Sequence, residues 1–491
     1  MIITMNKTRT RFAPSPTGYM HIGNLRTALF EFLIAKHEGG DFLLRIEDTD
    51  QERKVEGAVD VIYKTLKECG LNWDEGPDIG GDFGPYIQSE RLPMYKGYAE
   101  DLIKLGGAHY CFCSEEEIEA QRKEAESLGI SFKFNDPCKH LSAEEVQAKL
   151  DAGEPYVIRQ TIKDVGETYF DDEVYGRIEV DGDVLDEQIL IKSDGYPTYN
   201  FANIIDDHQM QISHVVRGNE YLSSTPKYNL IYDAYGWQRP TYVHVPPVMK
   251  DEHHKLSKRN GDASFQDLVA KGYLPEAIMN YIALLGWAPE TEQEIYTLDE
   301  LIKVFNIHRI SKSPAIFDID KLTWMNGVYL RNMDEETYYE TVRPYLEKAV
   351  HGPYNLKEIA KIIQPRIDIL NQIEESVDFF DTLVDYDLEM YRHKKMKTTP
   401  EVALKALKAS KLTLEAFDQW DSMDALHECL LALPKELEMK NGQVLWPIRT
   451  AVSGKQFTPG GAIEIAFILG KDETLRRIQV GIDRLSEIVE E

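Results

Sequence analysis

The sequence has no apolar run that approaches the roughly 20 residues required by a membrane-spanning helix. Its N-terminus also lacks a continuous apolar segment followed by a small-residue cleavage site, so we expect no secretory signal. Cysteine is scarce: 5 residues spread over a long chain suit a reducing compartment rather than a disulfide scaffold. These absences predict a soluble, cytoplasmic protein with no membrane partner.

Positive charge is also in short supply. Lys and Arg total 55 against 84 Asp and Glu, and the formal net charge of -29 argues by itself against nucleic-acid binding, because affinity for phosphate depends largely on cations. One stretch departs from this average, since seven Lys or Arg residues between Arg392 and Lys411 stand against Glu401 alone. It suits either a surface facing RNA or a solvated helical face. Residues 164–187, by contrast, carry ten acids and only Arg177, and should avoid phosphate.

The chain of 491 residues is long enough for roughly three to five domains. Its first segment predicts a strand at residues 9–13, a loop rich in proline, and a helix whose apolar residues recur at helical spacing from Leu25 until Gly39 and Gly40 end it. Residues 42–46 then read as a buried strand. This strand, helix and strand order is typical of a parallel sheet, so we expect a doubly wound nucleotide-binding fold.

Further along, the pattern becomes helical past Arg91 and strand-like at residues 156–161 and 187–192. After a turn signal at residues 193–197, the apolar runs at 204–205 and 215–216 are predicted to resume the parallel sheet. From about Leu322 to Glu491 the pattern is almost entirely helical. The chain is therefore expected to be α/β at its start and α-helical at its end.

Two short motifs could bind phosphate. His21-Ile22-Gly23-Asn24 lies where the loop meets the first helix, and the amides of a helix N-terminus attract anions. Alone, such a short string is weak evidence and is more typical of an ordinary loop histidine that caps a helix. Lys255-Leu256-Ser257-Lys258-Arg259 places three cations in five residues, which suits contact with the phosphates of a transition state or a basic surface loop.

Together these motifs resemble the paired signatures of the class I aminoacyl-tRNA synthetases. The surrounding sequence is similar to the bacterial-type glutamate branch of that class. The resemblance extends over essentially the whole chain, through residues 11–18 (Arg-Phe-Ala-Pro-Ser-Pro-Thr-Gly), 45–50 (Arg-Ile-Glu-Asp-Thr-Asp), 193–199, 217–220 and 324–327. The sequence departs from the class pattern at Asn24, where many members have a second histidine, and at Leu256 and Arg259.

The resemblance implies a division into five parts. A Rossmann-like doubly wound parallel sheet would occupy residues 1–105 and 193–250, interrupted by an α+β insert at 106–192 that binds the acceptor end of the RNA. A stem-contact domain would follow at 251–330, and a mostly α-helical anticodon-binding domain at 331–491. The implied activity is ATP-dependent attachment of L-glutamate to tRNA(Glu) through glutamyl-adenylate, by a monomer that uses Mg²⁺ with ATP.

The resemblance also implies roles for individual residues. His21 and Lys258 would be catalytic and would contact the phosphates. Arg11, Tyr199 and Arg217 would hold the side-chain carboxylate of glutamate, and Ser15 and Glu47 its α-amino group. Two arginines in this pocket, with no evident acid apart from Glu47, would select a charged substrate; the alternative for Arg11 is an ion pair with Asp48 or Asp50. The ATP-binding set would comprise His21, Gly23, Asn24, Glu220, Lys255, Ser257 and Lys258.

Cys111, Cys113, Cys138 and His140 have a spacing that favours a closed tetrahedral zinc site. We therefore expect one structural Zn²⁺ per chain, which would stabilise the insert, although three reduced core cysteines near a surface histidine are the alternative. The same arrangement occurs in the zinc-containing members of the glutamate branch.

Arg366, in Gln-Pro-Arg-Ile-Asp, resembles an arginine that reads the last anticodon base, because arginine makes bidentate contacts to base edges. A surface ion pair with Asp368 or another acid is its alternative. Three other functions fit the sequence less well. A glutaminyl enzyme typically ends in β-barrels, and a short paralogue that modifies a base lacks the anticodon domain. A catalytically silent RNA-binding protein with a structural zinc is the third, but it would not need His21, Lys255 and Lys258.

Overall fold

The computed structural model describes residues 7–49, 55–163, 166–256 and 264–489. The chain forms two compact units, one of Met1–Val269 with Pro275–Asp318 and one of Ala270–Leu274 with Ile319–Glu491. Among the described residues no helix is both long and apolar enough to cross a membrane. The finer division into five domains stays a prediction.

The first unit is a mixed α/β structure. Its strands are β1 (Arg9–Phe12), β2 (Asp41–Leu44), β3 (Ala108–Cys111), β4 (Val157–Gln160), β5 (Glu167–Asp172), β6 (Gly176–Asp181), β7 (Ile189–Ile191), β8 (His214–Gly218), β9 (Thr241–Val245), β10 (Val248–Met249) and β11 (Ala315–Ile316). The helices up to residue 318 are α1 (Ile22–His37), α2 (Ala58–Glu68), α3 (Leu92–Lys104), α4 (Glu115–Ser127), α5 (Ala143–Asp151), α6 (Tyr199–Gln209), α7 (Thr225–Tyr235), α8 (Phe265–Ala270), α9 (Pro275–Ala283) and α10 (Leu298–Val304).

The predicted first strand, helix and strand are confirmed. β1 and β2 pair in parallel, from Arg9 opposite Asp41 to Phe12 opposite Leu44, and α1 connects them. After α1, a Cβ atom added to Gly40 would lie 2.0 Å from the carbonyl oxygen of Thr8. Only glycine allows the chain to pass that close to the residue before β1, which explains how Gly40 starts the return strand. The helix itself is ended by Gly39, whose φ of +65° is in the left-handed region.

The remaining central strands lie in the order β6-β5-β9-β8. β9 is parallel to both β8 and β5, whereas β5 and β6 form an antiparallel hairpin within the acidic segment 164–187. The amide of Ser213, just before β8, donates to the carbonyl of Arg9 at 3.0 Å, so β8 runs beside β1. The prediction that residues 215–216 resume the parallel sheet is confirmed.

Residues 204–205 were predicted to be a strand, and that prediction is wrong. They lie in α6, where Phe201, Ala202, Ile204 and Ile205 are all buried. A short apolar run has the same sequence pattern in a buried helix as in a buried strand, so periodicity alone could not distinguish the two.

The insert has its own antiparallel sheet, in the order β3-β4-β7. This sheet does not have a separate core. Its buried residues Ala108, Ile158, Leu190 and Ile191 pack in one hydrophobic cluster with Tyr95, Ala99 and Leu102 of α3, with Phe201 and Ile205 of α6, and with Tyr228, Ile231 and Tyr232 of α7.

The second unit confirms the predicted helical C-terminal region, since the structure describes no strand between residues 319 and 489. Its helices are α11 (Ile319–Asn332), α12 (Glu335–Ala349), α13 (Leu356–Ile363), α14 (Gln372–Val377), α15 (Pro400–Ala416), α16 (Met423–Glu436), α17 (Asn441–Ser453) and α18 (Ala462–Val489). Arg477 of α18 is fully buried and donates to the carbonyls of Phe379, Phe380 and Val452. Its Nε also pairs with the Glu473 carboxylate at 2.6 Å, so main-chain oxygens and one acid together satisfy this buried cation.

Candidate active site

A cavity of about 250 Å³ opens where β1 and β8 end, which is the edge at which open α/β sheets bind ligands. The structure brings to this cavity seven residues that the sequence reading had assigned to glutamate or ATP: Arg11, Ser15, Asn24, Glu47, Tyr199, Arg217 and Glu220. Ser15 and Asn24 are exposed at its rim, whereas Arg11, Glu47 and Arg217 are buried in its wall.

His21 caps the N-terminus of α1. Its Nδ1 accepts a hydrogen bond from the amide of Gly23 at 3.0 Å, and its Nε2 lies 3.1 Å from the carbonyl oxygen of Leu256. An Nδ1 that accepts leaves the proton on Nε2, which then donates to Leu256, so both contacts fit one neutral tautomer. A Cβ atom at residue 23 would lie 3.2 Å from His21 Nδ1, so Gly23 also makes room for the cap.

The two signature motifs meet in space, because Leu256 belongs to the second one. Lys255, which precedes it, forms an antiparallel bridge with Met249. Ser257 and Lys258 lie outside the described residues, so their assignments stay predictions.

Arg11 has more acidic neighbours than the sequence indicated. Its Nε and Nη2 donate to the two carboxylate oxygens of Asp207 at 2.9 and 3.1 Å, and its Nη1 lies 3.2 Å from Glu31. The expected alternative, a pair with Asp48, is not found: Asp48 accepts from the amide and hydroxyl of Ser89. Asp50 lies outside the described residues.

The expectation that Glu47 is the only acid of the pocket is therefore wrong. Glu47 pairs with Arg45 at 2.9 Å, and Arg45 in turn reaches Asp207 at 2.8 Å. Although burial alone would raise it, the guanidinium groups of Arg11 and Arg45 hold the pKa of Asp207 below its ordinary value. Burial raises the pKa of the Glu31 carboxyl well above its ordinary value, against the pull of Arg11. The Arg11 charge is thus balanced before any substrate binds.

Arg217 has no such balance. Its Nη2 donates to the hydroxyl of Thr225 at 2.8 Å and its Nε donates to Nε2 of His244 at 3.1 Å. Its guanidinium lies 4.8 to 5.5 Å from the ring centres of Tyr221, Tyr228 and Tyr242. Within the described ranges no carboxylate lies at ion-pair distance from it, although the side chain is only 7% exposed. Arg217 is thus a buried cation with donors to spare for an anionic ligand.

The predicted metal residues also meet, with one exception. Ligand atoms of Cys111, Cys113, Cys138 and Asp136 all lie within 4.8 Å of one another. His140 is not in this group; it is exposed at the end of the 3₁₀ helix Pro137–His140. Asp136 is fully buried instead, and accepts from His109 and from the amide of Cys138, both at 2.9 Å. His140 as fourth ligand stays a prediction.

The geometry of the thiols fits zinc. Sγ of Cys113 and Sγ of Cys138 lie 3.7 Å apart, and two sulfurs of a tetrahedral zinc site with Zn–S bonds of about 2.3 Å are separated by about 3.8 Å. Burial, and then the Asp136 hydrogen bond, raises the pKa of the Cys111 thiol to about 11. A bound cation would reverse this, because a coordinating thiol loses its proton.

We expect the native chain to bind one zinc ion per chain and Cys138→Ser to lose it, because a hydroxyl is a far weaker zinc ligand than a thiolate. Metal analysis of freshly purified protein measures the stoichiometry. Cys429→Ser, which changes a cysteine on α16, is the matched control and should keep one zinc. Native protein without zinc, or zinc retained by Cys138→Ser, would remove the claim.

Arg366 lies in the turn that follows α13 and is exposed. Its sequence alternative was a pair with Asp368, but Asp368 is occupied by Arg331 at 2.8 Å. For Arg366 itself, no carboxylate of the described chain lies at ion-pair distance. The arginine is therefore available to a ligand.

A larger cleft of the first unit lies elsewhere. It has a volume of about 750 Å³, and its lining includes His37, His214, Tyr296 and His308 but none of the predicted site residues. Size alone does not give it a function, because nothing in its lining selects one class of ligand.

Several residues of the site escaped the sequence reading, namely Glu31, Arg45, Asp207, His244 and, at the metal cluster, Asp136. Arg45 could have been noticed, since it opens the Arg-Ile-Glu-Asp motif. The Arg11–Asp207 pair could not, because 196 residues separate its members and only the fold brings them together.

Comparison with known families places both parts of the chain. Residues 7–324 match the catalytic domain of the class I tRNA synthetases of the E and Q type, and residues 337–482 match an anticodon binding domain.

Similar proteins agree over nearly the full length. A glutamate–tRNA ligase of Clostridium botulinum is 60% identical over 98% of this chain and 99% of its own length, and one of Clostridium tetani is 58% identical over 98% of each. A solved structure of a glutamate tRNA ligase from Elizabethkingia meningosepticum, in complex with its amino acid, superposes with a TM-score of 0.89. It is 35% identical, with 98% of this chain and all of that one covered.

Proposed function

Because the chain belongs to the glutamate–tRNA ligases, the glutamate members of the class I synthetases, we propose which of its residues carry the reaction. The reaction uses ATP to join L-glutamate to tRNA(Glu). Glutamate first displaces pyrophosphate from ATP to form glutamyl-adenylate, and the terminal ribose hydroxyl of the RNA then takes the glutamyl group and releases AMP. The proposal includes a cytoplasmic monomer, and Mg²⁺ that enters with ATP and neutralises phosphate charge.

The substrate side chain would be held by Arg217. The observation that carries this assignment is that Arg217 is buried in the cavity wall without an acidic partner in the described chain, so a γ-carboxylate completes it. The hydroxyl of Tyr199 and the remaining donor of Arg11 would share the carboxylate. Glutamine would bring no charge to this cation, and charge-assisted hydrogen bonds are about twice as strong as neutral ones.

The α-amino group would lie near Ser15 and Glu47. Glu47 shares its charge with Arg45, so it offers an oriented acceptor rather than an unbalanced anion. This arrangement leaves the α-carboxylate of glutamate directed away from the wall and available to attack the α-phosphorus of ATP.

ATP would bind where α1 begins. The cap at His21 and the first turn of α1, which includes Gly23, would form an anion site at a helix N-terminus, and Asn24 and Glu220 line the cavity. Lys255, Ser257 and Lys258 of the second motif would complete it. In this arrangement the protein acts by positioning and by stabilising charge, with no covalent intermediate on a side chain.

The direct test is aminoacylation of purified tRNA(Glu) and tRNA(Gln) with labelled glutamate and glutamine. We expect efficient transfer of glutamate to tRNA(Glu) and no measurable transfer of glutamine. Transfer of glutamine at a comparable rate would overturn the assignment of the pocket.

Arg366 is proposed to read the last anticodon base. We expect Arg366→Gln to weaken discrimination at that base by about 1 to 3 kcal/mol, since a bidentate arginine contact has roughly that value. The measurement is kcat/KM for tRNA(Glu) variants that differ only in the last anticodon base. Lys361→Gln, a change at an exposed residue of α13 that pairs with Glu358, is the control. Equal discrimination in both variants would place the reading residue elsewhere.

A further inference from the structure

Behind Arg217 lies a row of buried side chains from three neighbouring strands. Asp172 ends β5, His244 lies on β9 and Arg217 lies on β8. Oδ2 of Asp172 is 2.6 Å from Nδ1 of His244, and Nε2 of His244 is 3.1 Å from Nε of Arg217. His244 is fully buried and Asp172 is 4% exposed. Neither residue appears among those that line the cavity.

The directions of these hydrogen bonds follow from chemistry. A guanidinium group only donates, so Nε2 of His244 must accept, and the ring carries its proton on Nδ1. A carboxylate only accepts, so Asp172 receives that proton's hydrogen bond. Burial lowers the pKa of His244 below its ordinary value, which keeps the ring in this neutral form. Each member of the row therefore fixes the next.

Asp172 is itself fixed by the main chain. Its Oδ1 accepts from the amides of Val174 at 3.0 Å and Tyr175 at 2.8 Å, in the turn between β5 and β6. Its Oδ2 accepts from the amide of His244 at 3.1 Å as well as from the ring. Because four donors surround it, the Asp172 carboxylate is held in one orientation, in which it accepts from the His244 ring.

We propose that Asp172 and His244 are positioning residues for substrate recognition: they hold the imidazole in the tautomer that accepts from Arg217, and thereby direct the open edge of its guanidinium at the side-chain carboxylate of glutamate. This inference rests on the proposed role of Arg217. Two of the five donors of Arg217, Nε and one on Nη2, are committed to His244 and Thr225, and the other three find no acceptor in the described chain. The acidic hairpin β5–β6 thus acquires a function that its charge alone did not indicate.

Asp172→Asn tests the row by reversing one hydrogen bond. Two main-chain amides, those of Val174 and Tyr175, face Oδ1, whereas one, that of His244, faces Oδ2. The new amide nitrogen would therefore take the Oδ2 position, lose the bond from the His244 amide and donate to Nδ1. The ring proton would then move to Nε2 and oppose the donor of Arg217. We expect the KM for glutamate to rise about tenfold or more, as catalytic groups displaced by about 1 Å can cost 10²-fold, while the KM for ATP stays within about twofold.

His244 offers a matched pair of variants. In His244→Gln the side-chain oxygen reaches the position of Nε2 and can still accept from Arg217, whereas in His244→Asn the amide is too short and can meet only Asp172. Both remove the ring, so a merely structural role predicts similar losses. We expect a KM for glutamate within about threefold of wild type for His244→Gln and about tenfold higher for His244→Asn. His214→Asn, a change at a half-buried histidine on β8, is the control for folding and should leave the KM for glutamate unchanged.

A double-mutant cycle tests the positioning role of Asp172 separately from the proposed role of Arg217 in binding glutamate. If Asp172 acts through Arg217, Asp172→Asn changes the KM for glutamate in the wild-type background and has no further effect in Arg217→Gln. Additive effects would overturn the inference. If Arg217→Gln itself keeps wild-type kinetics, the role of Arg217 fails first. If Arg217→Gln raises the KM for glutamate but His244→Asn and His244→Gln have the same KM, the role of Arg217 stands and only the positioning role of Asp172 and His244 is overturned. Melting temperatures report folding, and the His244 pair decides the matter should Asp172→Asn not fold.

Discussion

Replacing Arg217 with glutamine should lower kcat/KM for glutamate by roughly 10- to 150-fold, which corresponds to the loss of one charge-assisted hydrogen bond of about 1.5 to 3 kcal/mol. The same change should shrink the preference for glutamate over glutamine, because it removes the charge that distinguishes the two side chains. The measurement is kcat/KM for both amino acids with the same tRNA.

Arg217 suits this experiment because no carboxylate of the described ranges depends on it for an ion pair. Removing Arg11 would instead deprive Asp207 of a bidentate partner and Glu31 of the one ion pair that it makes among the described residues, and breaking a buried pair costs about 3 to 5 kcal/mol of stability. Loss of activity at Arg11 would therefore mix folding with recognition. Arg239→Gln, at an exposed arginine paired with Asp233, is the matched control and should change neither constant by more than about twofold. An unchanged preference for glutamate in Arg217→Gln would mean that the pocket has been assigned to the wrong residues.

The second large effect is expected at Lys258. We predict that Lys258→Ala lowers kcat by about 10²- to 10³-fold with little change in the KM for ATP, because the charge of the lysine matters most when the α-phosphate is crowded and negative. Lys258 lies outside the described residues, and the prediction rests on the sequence motif and on the contact between His21 and Leu256, two residues before it. Single-turnover formation of glutamyl-adenylate in the presence of tRNA isolates this step.

Lys250→Ala, at an exposed lysine just after β10, is the control for the general loss of a cation near the second motif. It should retain wild-type rates. If Lys258→Ala loses ATP affinity as much as rate, the lysine contributes to ground-state binding and not specifically to the transition state.

The fold was predictable where the local pattern was long or punctuated. A proline-rich loop before the first helix and two glycines after it marked the first strand, helix and strand. The helical C-terminal unit was marked by a helical pattern that continues over most of its length. Residues 204–205 were not predictable, because two adjacent isoleucines fit either kind of element. In the fold they belong to α6 and pack in one cluster with α3 and α7.

The site was predictable as a set of residues but not as a distribution of charge. Motifs named Arg11, Glu47 and Arg217 correctly as neighbours, since all three line one cavity. The acids that balance Arg11 come from α1 and α6, and pairing across the fold leaves no local signal in the sequence. The same holds for Asp136, which lies two residues before a predicted zinc ligand and yet carries no spacing rule.

The hydrophobic cluster that joins the insert to α3, α6 and α7 determines how the chain can be recombined. An insert with its own core could be exchanged between relatives like a cassette, whereas here a graft would have to bring matching side chains at Tyr95, Phe201 and Tyr228 with it. Chimaeras cut at the borders of β3 and β7 should therefore fold only when both sides of this cluster come from one parent. Substitutions in the insert and in the helices that pack against it are therefore expected to be inherited together.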